Sequence, residues 1–246
     1  MFLALPLLGL LWRTIERFDG VTHATSTTLR QALRLSFTTT LISLAIVLLL
    51  ATPLAFLLGR HDFRGKRLVE TIVDLPMVLP PAVAGLALLM AFGRRGLVGE
   101  YLNEQFGIAI GFTTTAVVMA QVFVSAPFYI RSAQAGFARY DRGVEEAAAD
   151  LGASPLRVLK DVTFPIARPA LGAGAVLAWA RALGEFGATI MFAGSIAGRT
   201  ETMPLAVYGR YEAGDLDTAL LLSVILVGCA TLVLLSVRLT GGRSSS

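Results

Sequence analysis

The sequence predicts an all-α polytopic membrane protein of about five or six transmembrane helices at ~20 residues per span. Composition is the first observation behind this: 55% of the 246 residues are apolar and 15% charged, with a mean hydropathy of +0.70, outside the range of water-soluble globules. The second is arrangement. The apolar residues fall in runs of bilayer-crossing length, and the basic residues gather at their ends, where they anchor helices and set orientation. Residues 1–246 therefore read as a single transmembrane domain, with the bilayer as its first partner.

Taken in order, Met1–Trp12 is apolar but about half a span long, and it lacks the basic start and cleavage site of a signal peptide. Arg13–Arg34, rich in Thr and Ser, reads as a first loop. Leu35–Gly59 is uncharged and long enough to cross, with Pro53 as an expected kink. Arg60–Glu70 is a short basic loop. Ile72–Gly93 is the next span and holds Asp74, Pro76, Pro80 and Pro81. Arg94–Glu104 is a charged turn, and Gln105–Ile130 an uncharged span whose Gly107 and Gly111 precede the helix proper. A further span begins near Pro169 and is interrupted by Arg181 and Glu185. Ser195–Asp217 is polar, Thr218–Val237 is a last uncharged span, and the tail at about 240–246 reads as disordered.

Between the third and fourth of these spans lies the longest polar island, Gly143–Pro169, within a loop of about 137–168. Val144, Ala147, Ala148 and Leu151 recur at i, i+3, i+4 and i+7, the spacing of a short amphipathic helix with acids on its other face. Gly152 stands where a left-handed helix stop is needed. Ser154 offers an N-cap and Pro155 fits the first position of a second helix, which is expected to end near Pro165. The product is a helix–turn–helix elbow outside the membrane, shaped either to dock in a groove on another protein or simply to join two spans.

The same residues carry a family resemblance. Glu146-Ala147-Ala148, three residues, Gly152, nine residues, then Val162-Thr163-Phe164-Pro165 resembles the EAA loop of bacterial ABC-importer permeases, with Val and Phe in the places of Ile and Leu. The resemblance implies that Glu146, Ala147, Ala148, Gly152, Val162, Phe164 and Pro165 form a cytoplasmic coupling helix seated on an ATPase.

Sites for other chemistry are missing from the sequence. No G-x-x-x-x-G-K-[ST] phosphate loop occurs, nor a nucleophile elbow. Cys229 is the lone cysteine, and His23 and His61 stand in separate segments, so no metal-ligand set is visible. A pI near 9.6 raises nucleic acid as a partner, but no basic run stands beside aromatic platforms. The chain is thus expected to be no enzyme and to bind no cofactor; ATP and Mg2+ would belong to a separate subunit.

Two stretches bear on a path through the membrane. Leu75–Gly85 places Pro76, Pro80 and Pro81 within one span, where each proline removes a helix donor. Freed carbonyls are tolerated in lipid only against protein or a water-lined cavity, so the break marks either a translocation path or a packing kink. Asp74 beside it reads as interfacial or salt-bridged. Arg181 and Glu185 lie one turn apart on a common face, where each offsets the other's desolvation. Intramembrane charges by default face a bundle interior or cavity; a helix-packing or dimer contact is the alternative.

These stretches narrow the resemblance. ARALGEFGATIMFAG, GRTETMPLAVY and LPMVLPPAVAGLALLMAFGRRGLVG are similar to the molybdate/tungstate permease family, over most of Leu35–Val237. Sulfate/thiosulfate permeases share the Leu-Pro-x-x-Leu-Pro and Arg-Ala-x-Gly-Glu themes and are the near neighbour. The resemblance implies the type I ABC importer permease fold in a bacterial or archaeal plasma (inner) membrane. It further implies a homodimer, in which a gate formed by the Pro-rich and Arg181/Glu185 spans of both copies works with an extracytoplasmic substrate-binding protein and an ABC ATPase. An ion-coupled secondary transporter using Asp74, Arg181 or Glu185 is the reading from another class. Placing the elbow in the cytoplasm leaves 12 Lys and Arg inside and eight outside, with Arg181 in a span completing the 21, a bias of the expected sign. Arg94, Arg95, Arg199 and Arg210 then fall on the outer face, as solvated loop charges or as aids to an arriving anion.

Overall fold

Length and hydropathy decide the framework. In the computed structural model, which describes residues 4–17, 23–139 and 142–241, no β-strand occurs among the described residues. The helices are α1 (Leu5–Glu16), α2 (His23–Arg60), α3 (Lys66–Val78), α4 (Pro81–Phe92), α5 (Gly99–Phe106), α6 (Thr114–Ala138), α7 (Arg142–Asp150), α8 (Pro155–Val158), α9 (Phe164–Leu183), α10 (Gly187–Ala193), α11 (Met203–Glu212) and α12 (Leu216–Gly241). A π turn, Leu159–Thr163, joins α8 to α9 without a break. Three helical stretches among the described residues are long and apolar enough to cross a bilayer: Thr25–Arg60, Thr114–Ala138 and Pro155–Leu183. The pair α3 and α4, bent by 117° at Leu79–Pro80, makes a fourth if counted as one span, and Leu216–Leu232 is a shorter apolar helix.

Several boundaries differ from the sequence reading. The Thr/Ser-rich segment expected as a loop is helical from His23 onward and at Arg13–Glu16, while residues 18–22 lie outside the described ones. Its hydroxyls are spent inside the helical bundle: Thr28 Oγ1 receives Arg210 Nη2 at 2.8 Å, and Thr25 Oγ1 lies 3.3 Å from Thr218 Oγ1. The helix α2 continues through Pro53. The polar stretch after Ser195 contains α11, whose Met203 and Ala206 bury against Ala32 and Leu222. The charged turn after Arg94 folds into α5, stopped by Gly107 in the left-handed region. The helix α6 begins at Thr114, with Thr113 capping the Ala116 N–H, and runs past Ile130 to Ala138. The expected disordered tail is helical to Gly241, and residues 242–246 lie outside the described ones.

The scaffold is α2, α6 and α9, which share a core of Val47, Ala51, Leu58, Tyr129, Phe137 and Ala178. Lipid supplies no hydrophobic drive between helices, so close packing of small residues and interhelical hydrogen bonds must hold them. The α6–α9 seam does both. A Cβ at Gly136 would lie 2.5 Å from Ala170 Cβ, and one at Gly174 would lie 2.8 Å from Ser132 Cβ. The pairs step in opposite directions along the chain, as antiparallel helices require, and Ser132 Oγ donates to Ala170 O at 2.8 Å. Across α2, Ser43 Oγ donates to Gln121 Oε1 at 3.0 Å, Trp179 Nε1 donates to Thr40 Oγ1 at 3.0 Å, and Thr52 Oγ1 and Tyr129 OH are 2.6 Å apart.

Gly136→Leu therefore forces the seam apart. It should lower stability by about 1–3 kcal/mol, read as a lower thermal midpoint in detergent. Gly172→Ala, in the same seam-forming helix α9 but with nothing within 4 Å of its Cβ, should leave the midpoint unchanged or slightly raised.

Candidate functional site: a docking elbow and a double helix break

The elbow is built by a helix stop and a helix that does not stop. At the end of α7, Gly152 takes φ +87°. Its N–H bonds to Ala149 O at 2.8 Å while the Ala153 N–H reaches Ala148 O at 3.1 Å, the paired bonds of a Schellman ending. Ser154 occupies the cap position without a side-chain cap bond, and Pro155 opens α8 as expected. The expected end near Pro165 is overturned. The Phe164 N–H bonds back to Leu159 O, five residues earlier, and the chain runs on as α9 to Leu183. A proline needs no donor bond and presses on the carbonyl four residues back. The extra residue of a π turn just ahead of Pro165 relieves that pressure, so the proline sits in the first turn of a continuing helix.

The elbow turns its apolar side outward. Leu151 is 90% exposed, Leu156 74% and Val144 50%, and Glu146 and Ala147 lie beside them. Ala148 and Val162 are in the same stretch, Val162 half-buried. Phe164 grips the scaffold: its ring meets Phe137 edge-on at 5.9 Å, and Phe137 meets Phe56 edge-on at 5.4 Å. A cleft of about 320 Å³ opens between α7 and the α8–π segment, lined by Phe56, Glu145, Glu146, Pro155, Val158 and Thr163 among others.

The second feature is a pair of helix breaks lying against each other. The first breaks at Leu79 and Pro80, both extended, and restarts with Pro81 at the head of α4. The second breaks after Gly184 and restarts as α10. The two restarts touch: a Cβ on Gly187 would lie 2.5 Å from Pro81 Cβ, and one on Gly85 would lie 2.6 Å from Ala188 O. Glu185, 1% exposed, occupies the second break. Its Oε1 receives the Ala188 N–H at 2.8 Å, satisfying a first-turn donor of α10. Its Oε2 lies 2.6 Å from Arg181 Nη1, in ion-pair contact rather than as an aligned hydrogen bond. Arg181 itself keeps 27% of its side chain exposed.

The structure thus brings Pro81 and the Glu185 break together through Gly187, with Pro80 next in chain. Pro76 stands apart, buried in α3, which packs on α6. That half of the span is anchored by charge. Arg131 Nε donates to Asp74 Oδ1 at 2.6 Å and Nη1 donates to Gln134 Oε1 at 2.7 Å, while Gln134 Nε2 reaches Glu70 Oε1 at 2.8 Å. Asp74 is therefore salt-bridged, one of the two readings expected of it. Sequence reasoning missed Arg131, which counts there only as an orienting charge, and Glu145, the neighbour of the motif glutamate. Glu145 accepts from Arg60 Nη2 and from Thr163 Oγ1, each at 2.5 Å. For Glu145 the one signal was a carboxylate and a guanidinium, Arg60, in polar segments assigned to the same side of the membrane; for Arg131 it was only its place at the end of an uncharged span. On the opposite face, Arg210 ties α11 to Thr28, Arg94 lies 3.5 Å from Asn103 Oδ1, and Arg95 and Arg199 are exposed.

The chain is 44% identical over 238 residues, 96% of its own length and 89% of the other's, to the molybdenum transport system permease protein ModB of Mycobacterium tuberculosis. It is 39% identical over 230 residues, 91% of this chain and 79% of the other, to a probable transport system permease protein, NifC, of Clostridium pasteurianum. Among solved structures, a bacterial ABC transporter involved in the import of the acidic polysaccharide alginate superposes with a TM-score of 0.77 at 16% identity, over 100% of this chain and 91% of that one; at that identity the likeness is one of fold. Residues 51–241, which hold both the elbow and the paired breaks, match the family described as binding-protein-dependent transport system inner membrane component, and the chain belongs to it.

Proposed function

We propose that this chain is the membrane-spanning permease subunit of an ATP-driven importer that carries molybdate, or tungstate, inward by alternating access. The near full-length likeness to a molybdenum permease carries the choice of substrate. The outward-turned apolar elbow supports docking of an ATPase subunit under Glu146–Pro165, because Leu151 and Leu156 offer anchors that a monomer leaves in water. ATP and Mg2+ belong to that subunit. A second copy of the chain completes the passage, and an extracytoplasmic binding protein delivers the oxyanion in a bacterial or archaeal inner membrane.

In this reading Pro80, Pro81, Arg181 and Glu185 form the gate, and Pro76 belongs to the hinge side of the broken span. Helices that start afresh in mid-membrane can part without unravelling a continuous helix, and both restarts are already capped or proline-started. The carboxylates that an ion-coupled carrier would need, Asp74 and Glu185, are each engaged by an arginine, which favours the ATP-driven reading.

Reconstitution in liposomes tests this. The chain with its ATPase should accumulate molybdate when supplied with ATP and molybdate-loaded binding protein, and sulfate-loaded protein should fail to stimulate hydrolysis. Stimulation by sulfate would reassign the substrate, and accumulation by the chain without any ATPase would overturn the mechanism. A Cβ at Gly152 meets nothing within 4 Å, so only its positive φ resists substitution. Gly152→Val should lose uptake by destabilising the elbow by about 1–2 kcal/mol, while Gly152→Asn keeps most of it, with insertion intact in both. Glu185→Ala removes both the cap and the counter-ion of Arg181. It should raise basal ATP hydrolysis and abolish uptake in the assembled complex, and wild-type behaviour would return the pair to a packing role.

A further inference from the structure

The elbow carries two adjacent glutamates, and the inner of the two is held by the spans. Glu145 keeps 25% of its side chain accessible. Its Oε1 is shared by two donors from two different spans: Arg60 Nη2 at 2.5 Å and Thr163 Oγ1 at 2.5 Å. Arg60 is the last residue of α2 and its side chain is 7% exposed. Thr163, 3% exposed, ends the π turn from which α9 continues.

Both receiving ends are stiff. At the foot of α2, a Cβ on Gly59 would lie 2.9 Å from Gln134 O and from Phe137 Cβ, so α2 cannot slide on α6 there without moving it. A guanidinium at a helix C-terminus also meets the favourable end of the helix dipole. At the head of α9, the edge-on series Phe56–Phe137–Phe164 fixes the level of the first turn. The link between them is adjustable. Thr163 Oγ1 has a second acceptor, Val158 O at 3.4 Å, and π turns are recurrent points of local adjustment within helices. The rest of α7 packs chiefly on α8 and the π turn and shows its apolar face to solvent.

We propose that Glu145, through Arg60 and Thr163, is the positioning residue that delivers movement of the docking elbow to α2 and α9 together. This rests on the reading that the elbow seats on an ATPase, and it gives the two glutamates separate roles, with Glu146 toward the partner and Glu145 holding the spans. A push or pull on α7 reaches Arg60 through a largely buried ion pair, which resists separation because either charge left alone in that setting is poorly solvated. The same displacement loads Thr163, whose hydroxyl exchanges Glu145 for Val158 O as the carboxylate withdraws. The feet of α2 and α9 then move as a unit relative to the paired breaks.

The test uses the complete complex of permease, ATPase and binding protein in liposomes, with molybdate transported per ATP hydrolysed as the readout. Glu145→Gln should lower that ratio by about tenfold or more, within the span of ordinary coupling energies, with the ATPase still co-purifying. Thr163→Val, which leaves the ion pair intact, should give a smaller loss and carries the test if Glu145→Gln does not insert. The exchange Arg60→Glu with Glu145→Arg should recover part of the ratio lost by either change alone. An unchanged ratio in Glu145→Gln and in Thr163→Val overturns the proposal. So does a loss in Glu145→Gln that comes with loss of bound ATPase, since Glu145 would then belong to the docking surface. Failure of the unaltered chain to retain any ATPase strikes instead at the docking reading.

Discussion

The unpaired backbone at a broken helix is the constraint on which this structure depends. Inside a bilayer no water is available to satisfy freed N–H and C=O groups, yet helices break at Leu79–Pro80, within a bent span, and at Gly184–Phe186, after the span that ends at Leu183. The solution is to lay one interruption against the other and to supply the missing partners from nearby. Pro81 needs no acceptor for a donor it does not have. Glu185 accepts from the first turn of α10, and Arg181 offsets its charge. Small residues make the arrangement possible, since any side chain at Gly85 or Gly187 would drive α4 and α10 apart. Their shared core of Ala84, Leu88, Ala188 and Phe192 with α6 follows from that contact.

Around the paired breaks the chain sets a scaffold that is closed to adjustment. The α6–α9 seam is interlocked at Gly136 and Gly174, and the polar groups of α2 are committed across it. Under the proposed function, movement is therefore relative: α2, α6 and α9 shift as one body against α4 and α10. The Arg131–Asp74 pair holds α3 to α6, while α4, beyond the 117° bend, packs chiefly on α10. Rigid seam, pinned half-span and a half-span paired with α10 are the parts a hinge would use under the proposed function.

Much of this could be read from the residues. Apolar runs located the spans but not their ends, since the one expected from Pro169 begins at Pro155; Gly152 and Pro155 placed the turn of the elbow, because each has one conformational use that hydropathy does not blur. Pro76, Pro80 and Pro81 signalled a break but not its angle, since a proline states which bond is lost and not how the chain resumes. Errors arose where tertiary burial outweighed local polarity. The Thr and Ser residues before Leu35 looked like loop, yet Thr28 serves as a partner for Arg210 and Thr25 meets Thr218. Pro165 looked like a helix end, and the single inserted residue of the π turn, which has no composition signal, let the helix pass. Glu145 was masked by its neighbour: the motif spacing picks out Glu146, and only three-dimensional placement separates the two carboxylates.

The electrostatics of the passage also bear on where selection occurs under the proposed function. A site that holds a dianion needs several donors and net positive potential. At the paired breaks the structure offers Arg181, but Glu185 neutralises it and takes the α10 donor that an oxyanion would otherwise claim. Arg210 and Arg94, on the outer face, already have protein partners. An anion crossing here would meet a neutral, closely packed constriction and not a binding cage, so that affinity would oppose release less than it would in a site built to retain its ligand. Discrimination between oxyanions of similar shape then falls to whatever protein presents them, and the permease is left to open and close in step with the elbow.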